Sequence, residues 1–135
     1  MALFSWPIRI YYEDTDVGGV VYYANYLKFM ERCRSEWLRQ LGFEQDELLQ
    51  QQKLIFAVHE IALKYRQPAR FNDLLTVTTE VSAWRRVNID LYQTVSRDDT
   101  LLCDGTIRLA ALDAETLRPK AMDPQIIAAL KREKS

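Results

Sequence analysis

Histidine is nearly missing from this chain: His59 is the single imidazole in 135 residues, and the only two cysteines, Cys33 and Cys103, lie far apart. No Cys/His cluster has metal-ligand spacing. Two cysteines in apolar contexts read as buried reduced thiols rather than as a disulfide. An excess of one charge is missing too. Lysine and arginine total 18 against 19 acids, so the formal charge is 18 − 19 = −1, which argues against a nucleic-acid binder or a polybasic membrane anchor. Any anionic ligand must be held by local charges. No window approaches the roughly 18 apolar residues of a membrane span, and the first residues, Met-Ala-Leu-Phe-Ser-Trp-Pro-Ile-Arg, lack the basic-then-apolar order of a secretory signal. The expectation is a soluble cytoplasmic protein. Without internal repeats or low-complexity segments, the chain reads as one domain, 1–135.

What is present is a change of period. Residues from about Trp6 to Glu13 alternate, with Ile8, Ile10 and Tyr12 on one face, and read as a strand. Beyond Gly18 and Gly19, apolar residues recur at Tyr26, Met30, Cys33, Trp37 and Leu41, a broad helical face closed by Gly42. Lys28, Glu31, Arg32, Arg34, Glu36 and Arg39 make the opposite side wet. Glu44 to Gln52 reads as a short polar helix anchored by Leu48 and Leu49. From Leu54 the period becomes two. A long strand runs from Leu54, a second through Leu75–Ala83, a third through Val87, Ile89, Leu91, Gln93 and Val95, and a fourth from about Leu101 to Leu112. Arg97-Asp98-Asp99-Thr100 makes a tight reversal. A short C-terminal helix starts at Asp123 or Pro124 and carries Ile126, Ile127 and Leu130. Strand, long helix and then consecutive strands specify an α+β fold in which an antiparallel sheet curls around one apolar helix.

The chemistry concentrates in Glu13–Tyr26. Asp16 precedes Gly18-Gly19, which let the backbone turn sharply and approach a ligand. The helix that follows points unpaired amides at the same space, suited to a carbonyl oxygen that becomes negative during attack. An acid beside an oxyanion site is the minimum for acyl transfer, with Asp16 as general base or as nucleophile. Asp14, two residues earlier in an extended segment, would face the same way and repel it. Alternatively these acids only cap the helix or decorate a turn.

Arg9-Ile10 followed by Thr15-Asp16-Val17-Gly18-Gly19-Val20-Val21-Tyr22-Tyr23-Ala24-Asn25-Tyr26 closely resembles the signature of the hotdog-fold acyl-CoA thioesterases of the 4-hydroxybenzoyl-CoA thioesterase class, and most of all its YbgC-type members. The weaker pieces Leu27-Lys28-Phe29-Met30-Glu31-Arg32, Glu36-Trp37-Leu38, Leu41-Gly42, and Tyr65 with Pro68-Ala69-Arg70 and Asp73 extend the likeness over most of the chain. The resemblance implies a hotdog fold, a curved antiparallel sheet around the long helix, paired into dimers and assembled as a homotetramer with sites at the dimer interface. It implies Asp16 as the catalytic acid and a backbone amide at or beside Tyr23 as oxyanion donor, with Gly18, Gly19, Val20, Tyr22 and Asn25 lining the thioester. No metal or redox cofactor is implied. YbgC-type members usually carry histidine where this chain has Tyr23. A phenol with a pKa of about 10 is no base at neutral pH, so the acid-plus-backbone mechanism is the one expected here.

A coenzyme A thioester brings several phosphate charges. Arg66 and Arg70, beside Lys64, form one candidate group; Arg85 and Arg86 form another, with Trp84 as a cover for adenine or pantetheine. Each group alternatively is a solvated strand end. His59, on a face with Ile55, Ala57 and Ile61, reads as a core or interface residue, and Glu31 as a solvated helix residue before a second acid. The leading expectation is an acyl-CoA thioesterase acting on short-chain or aromatic acyl groups. Its rivals are a module that binds acyl carrier protein or an envelope complex, and a hydroxyacyl-thioester dehydratase, which would need a histidine paired with an acid.

Overall fold

Alternating apolar residues, most of them beyond Leu54, fold with the N-terminal segment into one five-stranded antiparallel sheet. In the computed structural model, which describes residues 3–134, the strands are β1 (Phe4–Arg9), β2 (Leu54–Tyr65), β3 (Leu74–Trp84), β4 (Asn88–Arg97) and β5 (Thr100–Asp113). Their order across the sheet is β1-β3-β4-β5-β2. Met1, Ala2 and Ser135, the ends of the expected 1–135 domain, lie outside the described residues. The helices are α1 (Asn25–Gln40), α2 (Gln45–Gln52) and α3 (Pro124–Lys134). No helix among the described residues is long and apolar enough to cross a membrane.

Helix α1 packs over β1, β3 and β4. Its buried face is Tyr26, Phe29, Met30, Cys33, Arg34, Trp37 and Leu38, against Leu75, Val77, Val81, Ile89, Leu91 and Val95 of the sheet. Fully burying each of the larger apolar side chains contributes about 1.5–3 kcal/mol. Gly42, at φ +97°, lets the chain leave the helix in a conformation other residues disfavour. Both thiols are buried and free: burial pushes the Cys103 thiol up to about 11.

Four expectations need correction. The first strand ends at Arg9, because the Asp14 carboxylate accepts the Tyr11 N–H at 2.8 Å and winds Tyr12–Asp14 into a 3₁₀ turn; Tyr12 is exposed rather than inward. Leu48 is buried but Leu49 is exposed, so α2 has one anchor. Arg34 is buried, not on the wet side of α1. His59 is exposed and so not a core residue, and it does not share a face with Ile61: it falls at a register shift between Val58 and Glu60, and an inserted residue of this kind turns the strand's alternation over. Beyond the bulge Ile61, Leu63 and Tyr65 therefore continue the face of Phe56 and Val58, pairing with Ile107, Gly105 and Cys103 on the inner side of β5.

Candidate active site

The acidic turn is a closed, self-bonded loop. Thr15 bridges Val21, Val20 bridges Arg70, and the Asp16 N–H donates to the Val20 carbonyl at 2.9 Å. Gly19 sits at φ +79° and donates to the Asp16 carbonyl at 3.0 Å. The Gly18 N–H donates to Asp16 Oδ1 at 2.8 Å. That bond orients the carboxylate and leaves Oδ2 open, in an exposed position. Asp14 does a different job. Its carboxylate is taken by Tyr11, and its carbonyl accepts from the Tyr22 N–H and from Asn25 Nδ2 at 2.9 Å. The extended pair of facing acids is therefore absent: Asp14 pins the loop to the start of α1, and Asn25 is the other half of that pin.

Tyr23 and Ala24 lie immediately before α1, and their N–H groups have no acceptor among the described residues. Several phenols frame this turn. Tyr65 Oη donates to the Tyr23 carbonyl at 3.2 Å, and Tyr26 Oη accepts the Ala69 N–H at 3.0 Å. Burial raises the pKa of both Tyr26 and Tyr65, so both stay protonated at neutral pH. The rings of Tyr22 and Tyr23 lie 4.8 Å apart. Tyr23, Tyr26 and Tyr65, with Val21, Arg66 and Pro68, line a cavity of about 250 Å³. Asp16 is in the adjoining turn rather than in the cavity wall.

Of the basic groups, the structure brings Arg66 and Arg70 to this end of the sheet. Arg66 is held by Asp104 at 2.8 Å, and Tyr92 Oη donates to the same carboxylate at 2.8 Å; hydrogen bonding to Arg66 depresses the Asp104 pKa. Arg70 is exposed with no side-chain partner among the described residues. Arg9, donating to the Asn72 carbonyl at 2.8 Å, and Arg97, paired with Asp73 at 2.7 Å, share the same rim. Their positions at strand ends were the only sequence signal for them. Arg85, Arg86 and Trp84 are elsewhere: Trp84 pairs with Ile89, whereas Tyr65 is joined through Cys103 to Val95. Six residues of strand β4 separate the two rows, about 20 Å. Within one chain these arginines do not share a site. Glu31 is exposed on α1 and accepts from Ser35 Oγ at 3.2 Å.

Residues 11–130 match the sequence profile of the thioesterase-like superfamily. The chain is 44% identical over 126 residues to an acyl-CoA thioesterase YbgC of Haemophilus influenzae, covering 93% of both chains. It is 38% identical over 131 residues to the acyl-CoA thioester hydrolase YbgC of Escherichia coli O6:H1, covering 96% of this chain and 97% of the relative. Among solved structures, a probable thioesterase from Bartonella henselae superposes with TM-score 0.87 at 31% identity, over 90% of this chain and all of that one. A carboxylate at a glycine turn, free amides at a helix start and a hotdog sheet thus agree with the full-length matches: the chain belongs to the thioesterase-like superfamily.

Proposed function

We propose that this protein hydrolyses acyl-CoA thioesters to free acid and coenzyme A. The observation that carries the reading is the pairing, in one loop, of the Asp16 carboxylate with unbonded Tyr23 and Ala24 amides beside an apolar cavity. The activity named for the Haemophilus and Escherichia relatives supports it. In this reading the thioester carbonyl sits against the Tyr23 N–H, and Oδ2 of Asp16 either takes a proton from the attacking water or attacks the carbonyl itself. The tetrahedral oxyanion is stabilised by a donor that needs no reorganisation. Collapse expels the sulfur of coenzyme A. A thiol's pKa near 8.5 makes thiolate a good leaving group, so no imidazole acid is needed and a tyrosine can stand at position 23. No metal or redox cofactor enters.

The substrate's phosphates are met in this reading by Arg70 and the Arg9–Arg66–Arg97 rim. Two copies would join through β2, whose outer edge pairs with no strand among the described residues; an uncovered edge of this kind is a template for pairing. Antiparallel pairing would turn the partner's Arg85 and the partner's Arg86 to the same end of the joined sheet as Tyr65, and would place His59 at the seam. Further pairing gives the homotetramer, in the cytoplasm. Acyl carrier protein is the alternative carrier, favoured by exposed Tyr11, Tyr12 and Phe71 beside the loop. Thiol release from matched acyl-CoA and acyl-carrier substrates, with light scattering of the 15.9 kDa chain, tests the proposal. Absence of turnover on every CoA thioester, with stoichiometric capture of a carrier protein, would replace it with the binding-module reading.

A further inference from the structure

Helix α1 covers β1, β3 and β4 but leaves Val58, Ile61 and Tyr65 on the inner face of β2 exposed. Phe56, Val58, Ile61, Leu63 and Tyr65 line one side of the resulting trough. On the other side Leu27, Glu31, Arg34 and Leu38 follow one another at three- and four-residue spacing along one stripe of α1. Leu27, Val58, Ile61 and Tyr65 are all exposed there. At its Tyr65 end the trough meets the cavity beside Tyr23; at its other end lies a second cavity of about 120 Å³, walled by Glu31, Arg34, Ser35, Phe56, Val58 and Leu109. Arg34 is nine residues beyond the start of α1, about 13 Å along the axis.

Arg34 is the unusual member. It is 8% exposed, yet no carboxylate stands within ion-pair distance of it among the described residues. Among the described residues its hydrogen bond runs from Nη1 to Gln93 Oε1 at 3.0 Å. Gln93 in turn donates to the Met30 carbonyl and to Thr79 Oγ1, so the amide that holds the guanidinium is itself immobile. A guanidinium carries five N–H donors, the bond to Gln93 uses one of them, and the side chain lines the cavity. Burial disfavours its charge, while Glu31 nearby supports it. A charge drawn this far out of water gains from each acceptor it bonds.

We propose that Arg34 binds an oxygen at the distal end of the acyl group, so that the enzyme prefers acyl-CoAs ending in a neutral hydroxyl over the matching unsubstituted chains. The inference rests on the acyl-CoA thioesterase reading. The cavity holds only a few heavy atoms, at about 30 Å³ for a water-sized group, so it accommodates a chain end and not a whole ring system. Its walls already balance one cation with one anion. A terminal carboxylate would meet repulsion from Glu31, whereas a hydroxyl accepts from Arg34 and donates to Glu31.

The test uses thiol release from matched series of unsubstituted, ω-hydroxy and ω-carboxy acyl-CoAs, from short to medium chain length, and compares kcat/KM ratios within each series. A hydrogen bond to a buried charge predicts a preference of about tenfold for the hydroxyl at the length that reaches Arg34. In Arg34→Met that ratio falls toward one, and Arg34→Lys, which keeps a charged donor, restores part of it. A residue that only held the core would change stability without changing the ratio. In Glu31→Gln, an exposed position, the ω-carboxy substrate gains about tenfold on the hydroxyl one. Equal rates for hydroxyl and unsubstituted chains at every length in the wild type, preference for the carboxylate, or an unchanged ratio in Arg34→Met overturns the proposal. No turnover on any series is a different result and removes the thioesterase reading instead.

Discussion

Asp16→Asn is the most discriminating perturbation of this site, because the local structure shows what it preserves. The Gly18 N–H bonds Oδ1, and an asparagine carbonyl oxygen accepts that bond unchanged. The backbone bonds to Val20 and Gly19 do not involve the side chain. The position is exposed, so the stability change stays within about 0.5 kcal/mol. What disappears is the negative Oδ2, replaced by an amide that can neither take a proton nor attack a carbonyl. Losing a general base costs about 10²–10⁴ in kcat, or about 2.7–5.5 kcal/mol at 1.36 kcal/mol per decade. The assay is thiol release under saturating acyl-CoA, with thermal melts of both proteins alongside. A kcat within tenfold of wild type at an unchanged melting temperature would refute the assignment. A single turnover in ¹⁸O-water then tests the nucleophilic role: label incorporated into the Asp16 carboxylate shows an anhydride opened at Asp16, which general-base attack by water on the thioester does not give.

Tyr65→Phe removes the bond to the Tyr23 carbonyl and should lower kcat about two- to tenfold, the range for one hydrogen bond; an unchanged kcat would mean that Tyr65 does not hold the turn. Trp37, 1% exposed with its Nε1 donating to Glu133, should cost about 3–5 kcal/mol in urea unfolding when cut to alanine, and a loss under 1 kcal/mol would contradict its place in the core. Gly105→Ala would drive a Cβ to 2.3 Å from the Ala62 carbonyl oxygen, a clash with backbone that should break the β2–β5 pairing and shift the chain to insoluble material. Hydrogen bonding to Arg66 depresses the Asp104 pKa. Its stability contribution is therefore complete above the unfolded carboxylate pKa of about 3.9 and is lost as pH falls through the lower folded value; Asp104→Asn should flatten that acid limb of the stability profile.

The elements were legible in the residues because their periods differ. Tyr26, Met30, Cys33 and Trp37 repeat at helical spacing and are all buried, and the alternation of Ile89, Leu91, Gln93 and Val95 survives as the buried face of β4. Gln93 kept its place there although polar, because Arg34, Met30 and Thr79 satisfy it. The placing of His59 on one face with Ile61 failed for a reason period counting cannot detect: a bulge shifts the register by one and moves Ile61 to the other face. Local side-chain bonds escaped in the same way, as when the Asp14 carboxylate ended the first strand early.

By itself the sequence determined the local bonding of the loop, since Asp16, Gly18 and Gly19 are neighbours in the chain and their bonds to one another span only two or three residues. It also determined that one apolar helix would meet an antiparallel sheet. The tertiary structure alone decided which charges come together beside the loop. Arg9, Arg66, Arg70 and Arg97 meet at one rim across long separations, Arg85 and Arg86 go to the far end, and Arg34 is carried off the wet face into the core. The physical reason is that burial and strand register are set by packing between distant segments, whereas hydrophobic spacing reports only which way a side chain leans on its own element.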